Sequence, residues 1–382
     1  MKQNSFKMVL PGSVIGIIGG GQLGLMMGQS ALQLGFKVII LDPEENCPAS
    51  QVAQQVIVAG YNNKQALVKL AQLSDVVTYE FENVDVAGIE SISQQIFIPQ
   101  GTTLLKIAQH RLEEKKFLQA ANLPIVPFKS ITSFADLKQA SLELGFPCVL
   151  KTCRGGYDGK GQWVLHSSLD LEPLQTELNF NQEFVLEQWV NYEREVSIIV
   201  AGNLSEEYCT FPVIENEHQH NILKCSMLPA SISSEIAQEA ECIGLKIARE
   251  ARLVGTMAIE FFVKPDGQLY INEIAPRPHN SGHLTIEACS HSQFDLHIRG
   301  ICQWKLPSEI HYQPAVMVNL IGAEYSRMVD VVAQKPNWYF HDYGKTKTRS
   351  GRKMGHVTFI NQTKEAIFSL MRINKIWEGE AE

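Results

Sequence analysis

Two glutamates, Glu260 and Glu273, stand on either side of Asp266-Gly267 in the segment AIEFFVKPDGQLYINEIAPRPHNSGH. Asp-Gly between β-prone runs is a strong signal for a two-residue hairpin turn. With the turn centred on that pair, Pro265 faces Gln268, and counting back along both strands sets Glu260 opposite Glu273. Carboxylates facing each other across a hairpin repel. A divalent cation between them removes the repulsion, and magnesium takes one or two carboxylates and shares substrate phosphates. Two solvated strand residues that happen to align would show the same spacing. The polar tail that follows, Arg277, His279 and Asn280 between Pro276 and His283, is nothing a structural strand requires, so the metal reading is preferred.

The chain has 382 residues, room for two or three domains. It is 45% hydrophobic and 19% charged, an ordinary globular balance. A net charge of −8 argues against nucleic acid as a partner. Eight cysteines without a CxxC pair fit a reducing cytosol better than a disulfide framework. The start MKQNSFKMVLPGS lacks the apolar core of a signal peptide. No stretch approaches the roughly 18 apolar residues of a membrane span. The expectation is a cytoplasmic protein with small-molecule substrates and no membrane partner.

Residues 14–99 alternate short apolar runs with amphipathic ones. Strands are expected at 14–18, 37–41, 56–58 and 75–78, and a helix at 22–34. That alternation implies an α/β fold with a parallel sheet covered by helices. From about 104 to 300 paired strands dominate: 149–152, 162–165, 184–189, 195–200, 256–263 and 268–272. A long helical pattern fills 233–252, with Ser233 or Ser234 as its N-cap. A smaller mixed region follows, with a strand at 315–320, the segment HDYGKTKTRSGRKMGHVTF and a last helix at 363–373. The expected domains are a Rossmann-like one at 1–103, a central one at 104–306 and a small one at 307–382, α+β overall.

Two glycine loops carry candidate anion sites. Gly19, Gly21 and Gly24 form GxGxxG between the first strand and its helix, and Asp42 follows the second strand. This is the dinucleotide fingerprint. Glycines and a helix N-terminus specify an anion, not a particular nucleotide. Any phosphorylated metabolite satisfies them, Gln22 adds an amide, and a bare strand-to-helix turn would look alike. The second loop follows Lys151 and contains Gly155, Gly156, Gly159, Lys160 and Gly161. It lacks the Ser or Thr of GxxxxGK[ST] and reads as a flap over phosphates or as a plain hairpin tip. Nearby, Glu187-Gln188-Trp189-Val190 offers edge-strand backbone groups to an adenine and a carboxylate to a ribose, with Glu195 a second hydroxyl acceptor. Trp189 by itself reads as core.

Taken together, GGGQLG, YEFENV, GGYDGKGQ, the glutamate hairpin with PRPHNSGH, and YGK with GRKMGH resemble the ATP-grasp enzymes, specifically the 5-(carboxyamino)imidazole ribonucleotide synthases of purine biosynthesis. The resemblance covers nearly the whole chain. It implies an ATP-grasp architecture and a ligase that carboxylates 5-aminoimidazole ribonucleotide with bicarbonate and ATP. The products would be 5-(carboxyamino)imidazole ribonucleotide, ADP and phosphate, formed through carboxyphosphate.

The resemblance also implies roles. Glu260 and Glu273 would hold magnesium, with Asn272 adjacent. Lys106 and Lys151 would neutralise nucleotide phosphates, and the flap Tyr157, Asp158, Gly159, Lys160, Gly161 and Gln162 would close over them. Glu187 and Glu195 would bind ribose hydroxyls, Gln188, Trp189 and Val190 the adenine, and His218 would face the nucleotide. Arg277, with a fork that matches a carboxylate-like anion, would bind bicarbonate beside His279 and Asn280. Gln22, Leu23, Glu80, Tyr157, Asp158, Lys345 and Arg352 would bind the ribonucleotide. Members of the family are commonly homodimers. The competing readings are a nicotinamide oxidoreductase built on Gly19–Gly24 and Asp42, a silent nucleotide-binding protein, and two other ATP-grasp types, a formate-using purine transformylase and a biotin carboxylase.

Overall fold

The structure, a computed structural model, describes residues 8–156 and 161–377. The flap residues Tyr157, Asp158, Gly159 and Lys160 lie outside the described residues. The first sheet holds β1 (Val14–Ile18), β2 (Lys37–Asp42), β3 (Gln55–Val58) and β4 (Val76–Tyr79), all parallel in the order β3-β2-β1-β4. Ile15 and Ile17 pack with Val38, Ile40 and Met26, whereas Ile18, Ile39 and Leu41 pack with Leu67 and Leu70. Both faces are therefore covered, which is why these strands read as continuous apolar runs.

A small antiparallel sheet follows: β5 (Phe128–Ile131), β6 (Cys148–Thr152), β7 (Gln162–Leu165) and β8 (Phe184–Gln188), in the order β5-β8-β6-β7. The third sheet contains β9 (Arg194–Gly202), β10 (Tyr208–Thr210), β11 (Ile214–Gln219), β12 (Ile222–Leu228), β13 (Gly255–Val263), β14 (Leu269–Ala275), β15 (Ala315–Ile321), β16 (Tyr339–Asp342) and β17 (Lys353–Ile360). Its order is β14-β13-β9-β11-β12-β15-β17-β16, with β10 on β9. Ile198 and Val200 of β9 pack in one cluster with Ile243 and Ile247 of the helix Ser234–Glu250, and Ile199 and Ala201 pack in another. Strand periodicity sends them to opposite faces. Ser233 caps that helix, accepting from Ile236 N. Among the described residues no helix is long and apolar enough to cross a membrane.

The hairpin differs from the expected two-residue turn. Gly267 N donates to Lys264 O at 2.8 Å, Lys264 N donates to Gln268 O at 3.0 Å, and Gly267 has φ 84. The loop is thus three residues long with a left-handed glycine. This slips the register by one, so that Phe261 faces Ile271. A bulge then inserts Asn272 as an extra residue, and Glu260 returns opposite Glu273. Two one-residue offsets cancel.

Candidate active site

A cavity of about 1420 Å³ opens where the three sheets approach one another. Gln22, Leu23 and Glu80 line it from the first sheet, Lys151 and 187–190 from the small sheet, and Glu195, His218, Glu260, Asn272 and Glu273 from the large sheet. Arg277, His279 and Asn280 line it from the loop after β14.

The carboxylate pair fits a magnesium site. Burial, with Glu273 opposite, pushes the Glu260 carboxyl up to about 7. Two acids at one rung leave a negative charge that the protein only partly answers. Asn272 Nδ2 lies 3.4 Å and His279 Nε2 3.3 Å from Glu260, and Arg111 lies 3.6 Å from Glu273. Among the described residues no group of three or more His, Cys, Asp or Glu gathers as a metal site. Two carboxylates facing a cavity suit a cation that takes its remaining ligands from phosphates and water.

At the nucleotide end, Glu187 is buried between Lys151 at 2.9 Å and Lys115 at 3.2 Å. Burial alone would raise its carboxyl, but these lysines pull it down to about 2. The expected ribose contact is therefore corrected: the Glu187 carboxylate is committed to orienting two cations. Glu195 keeps a side chain in the cavity, accepting from Tyr192 Oη at 2.6 Å and pairing with His218 at 2.6 Å. Burial would raise Glu195, but His218 holds it below the usual carboxylate range. Trp189 is 43% exposed and lines the cavity rather than filling core. Gln188 and Val190 line it too, as does Gln162, whereas the Gly161 carbonyl accepts from Thr152 N at 2.8 Å and closes the β6–β7 hairpin.

Lys106 is a second correction. It is absent from the cavity wall and pairs with Glu90 at 2.5 Å on an exposed surface. Arg111 lines the cavity instead, one face of the helix Arg111–Ala120 bringing it in with Glu114 and the buried Lys115. These positions follow i, i+3, i+4 spacing. That charged stretch resembles a solvated helix face, so its inward orientation was missed, and so was Lys353 on β17.

The first glycine loop is also corrected. Glu80 accepts from Gly21 N and Gly24 N, each at 2.5 Å, and Asp42 accepts from Gly20 N, Glu44 N and Tyr61 Oη, each at 2.8 Å. The amides expected to hold a phosphate are thus occupied by the protein's own acids. Burial raises Glu80 to about 7, against the pull of those two amides. With three protein donors on Asp42 and the loop amides on Glu80, the fingerprint is filled from within the fold, which weakens the physical basis of the oxidoreductase reading. Lys345 and Arg352 stand outside the main cavity wall. Lys345 donates to Lys353 O at 2.7 Å. Burial, then the neighbouring Arg352 and Lys353, lowers its ammonium to about 8, with Glu80 opposing. Three cations crowding one place favour an anion.

Arg277 is less free than its sequence suggests. Its Nε and Nη2 donate to the two oxygens of Glu82, and its Nη1 donates to Pro278 O at 3.1 Å. Five N–H groups less three leave two, one on each terminal nitrogen. The Nε–Nη2 fork is taken, so an incoming anion meets the guanidinium end-on. Burial would raise Glu82, but Arg277 holds it below the usual carboxylate range. Burial, with Arg277 and Lys353 nearby, holds His279 well below the usual histidine range. Asn280 pairs reciprocally with Asn319, at 2.7 and 3.2 Å.

Comparison with known proteins decides the family. The models of a ribonucleotide synthetase preATP-grasp domain, an ATP-grasp domain and a phosphoribosylaminoimidazole carboxylase C-terminal domain match residues 13–109, 116–294 and 315–369. An N5-carboxyaminoimidazole ribonucleotide synthase of Bacillus subtilis is 44% identical over 365 residues, covering 94% of this chain and 95% of that one. The chain belongs to the N5-carboxyaminoimidazole ribonucleotide synthases. It is an ATP-grasp ligase that forms a carbon–nitrogen bond. A solved N5-carboxyaminoimidazole ribonucleotide synthetase in complex with ADP superposes with a TM-score of 0.93 at 44% identity, covering 98% of this chain and 99% of that one. An Aspergillus clavatus enzyme solved with ADP and 5-aminoimidazole ribonucleotide gives 0.87 at 29%, covering 95% and 97%.

Proposed function

We propose that this synthase joins bicarbonate to the exocyclic amine of 5-aminoimidazole ribonucleotide, converting ATP to ADP and phosphate through carboxyphosphate. The observation that carries the proposal is the meeting, in one cavity, of the Glu260–Glu273 pair with the Arg277–Asn280 loop and the cations Arg111, Lys151 and Lys353. Bicarbonate is a weak electrophile and is activated by attack on the γ-phosphate, which asks for charge neutralisation and exclusion of water.

Lys151 and Arg111 meet the nucleotide phosphates, Glu195 its ribose and the 188–190 backbone its adenine. His218 holds Glu195 in place. Glu260 and Glu273 hold magnesium, which when bound offsets the charge developing on the transferred phosphoryl group. Arg277 presents its two remaining N–H groups to bicarbonate, beside His279 and Asn280. Gln22, Leu23 and Glu80 receive the ribonucleotide, and Lys345 and Arg352 its phosphate. The family reading also carries a cytoplasmic homodimer and a division at 1–103, 104–306 and 307–382.

Purified protein should release phosphate from ATP only when magnesium, bicarbonate and the aminoimidazole ribonucleotide are all present. A folded sample that turns over without the ribonucleotide, or not at all, refutes the proposal.

A further inference from the structure

We infer that His279 is held as the tautomer carrying its proton on Nε2, fixed by the Ser281 backbone N–H, and that the side chains of Ser281, Ser197, Asn216 and Ser226 form a buried chain that runs in the direction this tautomer sets and steadies the ring. The Ser281 backbone N–H lies 3.3 Å from His279 Nδ1. An amide N–H can only donate, so Nδ1 is an acceptor. The Ser281 hydroxyl, 2.8 Å from the same nitrogen, must then donate to it as well. A hydroxyl has one hydrogen, so in its 2.8 Å contact with Ser197 Oγ the Ser281 oxygen accepts. The Ser197 hydroxyl is thereby committed, and its oxygen accepts from Asn216 Nδ2 at 2.9 Å. That fixes the amide orientation, and Asn216 Oδ1 accepts from Ser226 Oγ at 2.8 Å.

Every direction in this chain descends from one backbone amide. The opposite orientation of the Asn216 amide would run all the hydroxyls the other way and bring an Nδ1–H against the Ser281 N–H. Ser197, Ser226 and Ser281 have no exposed surface and Asn216 has 5%. β9, β11 and β12 supply Ser197, Asn216 and Ser226 from neighbouring strands, and Ser197 shares a rung with Glu260. With Nδ1 an acceptor, the neutral ring carries its hydrogen on Nε2, 3.3 Å from Glu260 Oε1. Resting on the proposed carboxylation, His279 enters the bicarbonate end of the cavity as a hydrogen-bond donor and not as the base that takes the proton of the amine. Ser281, Ser197, Asn216 and Ser226 are positioning residues.

The test is a two-bond proton–nitrogen NMR spectrum of the full chain with ¹⁵N-labelled histidine, assigned by comparison with His279→Gln. The expected pattern is a protonated Nε2 and a bare Nδ1 without substrates. A protonated Nδ1, alone or together with Nε2, overturns the inference. In Ser281→Ala the backbone N–H at position 281 remains, so the ring should keep its proton on Nε2, while loss of the hydroxyl that steadies it should lower kcat about 10-fold, the KM for ATP staying within about twofold, as expected for a supporting hydrogen bond. Ser197→Ala, which keeps the Ser281 hydroxyl, should lose less. An unchanged kcat in Ser281→Ala refutes the positioning role. A wild-type enzyme that shows the expected ring but never carboxylates the ribonucleotide upholds the tautomer and overturns the proposed function, so the two failures are distinct.

Discussion

At the N-terminus of the helix Gln22–Gln33, Glu80 and Asp42 rest on backbone N–H groups; at the hairpin, Glu260 and Glu273 rest against each other. Both places pair glycines with acids in sequence. In the first, the anion that a helix terminus favours is already part of the protein, and glycines make the room: a Cβ on Gly24 would sit 2.6 Å from Gly19 O. In the second, two carboxylates share one rung, and Arg111, 3.6 Å from Glu273, answers only part of their charge. A polar motif with its partners inside the fold is architecture. One left facing a cavity has electrostatic work still to do.

The largest effect should come from breaking the second place. Glu273→Gln should lower kcat by more than about 100-fold, beyond what loss of an outer supporting contact costs. The ligand-free protein should melt no lower than wild type, because a like-charge rung is relieved. Activity close to wild type would end the metal assignment. Arg111→Ala should come next, raising the KM for ATP by about 10-fold or more, since it removes a charge-assisted contact, as measured by steady-state kinetics.

The same contrast has a pH signature. Burial, as the first cause, holds Glu80, Glu114 and Glu260 up at about 7, 8 and 7 in the ligand-free fold, from an ordinary 4.5. Each binds its proton more tightly folded than unfolded. The unfolding free energy should therefore fall as pH rises from about 4.5 to about 8, then level off. Glu187, lowered to about 2, acts with the opposite sign: its contribution is full above 4.5 and is lost as pH falls toward 2. Urea titrations across that range measure both, and a profile flat from 4.5 to 8 would show that these acids are not held up. At the first glycine loop, Gly24→Ala should destabilise by about 1–3 kcal/mol through overpacking while the KM for ATP stays unchanged. The smallest effect is expected at Lys106→Ala, which removes an exposed pair worth little and should leave the KM for ATP as it was. A raised KM there would restore Lys106 to the site.

Local pattern carried much of the fold. β1 and β7 were legible to the residue and the cap at Ser233 to one of two neighbouring serines, because buried runs, alternation and capping are written in neighbouring positions. Glu260 and Glu273 were paired correctly although the turn was not, because the bulge at Asn272 undid the slip at Gly267. What escaped was long-range. Glu187 shows a carboxylate in sequence, but its meaning depends on Lys115 and Lys151, which only the fold brings to it. Arg111 and Lys115 look solvated until the small sheet closes over their helix. The acceptors on Gly21 and Gly24 come from Glu80, some sixty residues downstream, and no local reading of GGGQLG shows them.

The ladder between β12 and β15 joins the central region to the C-terminal one within a single sheet. A polypeptide cut in the connection between residues 303 and 314 would expose a raw edge on each piece, each edge a template for the other. The two fragments, produced separately, have a built-in means of recognising one another, and recovery of activity on mixing them would report on the sheet rather than on the cavity.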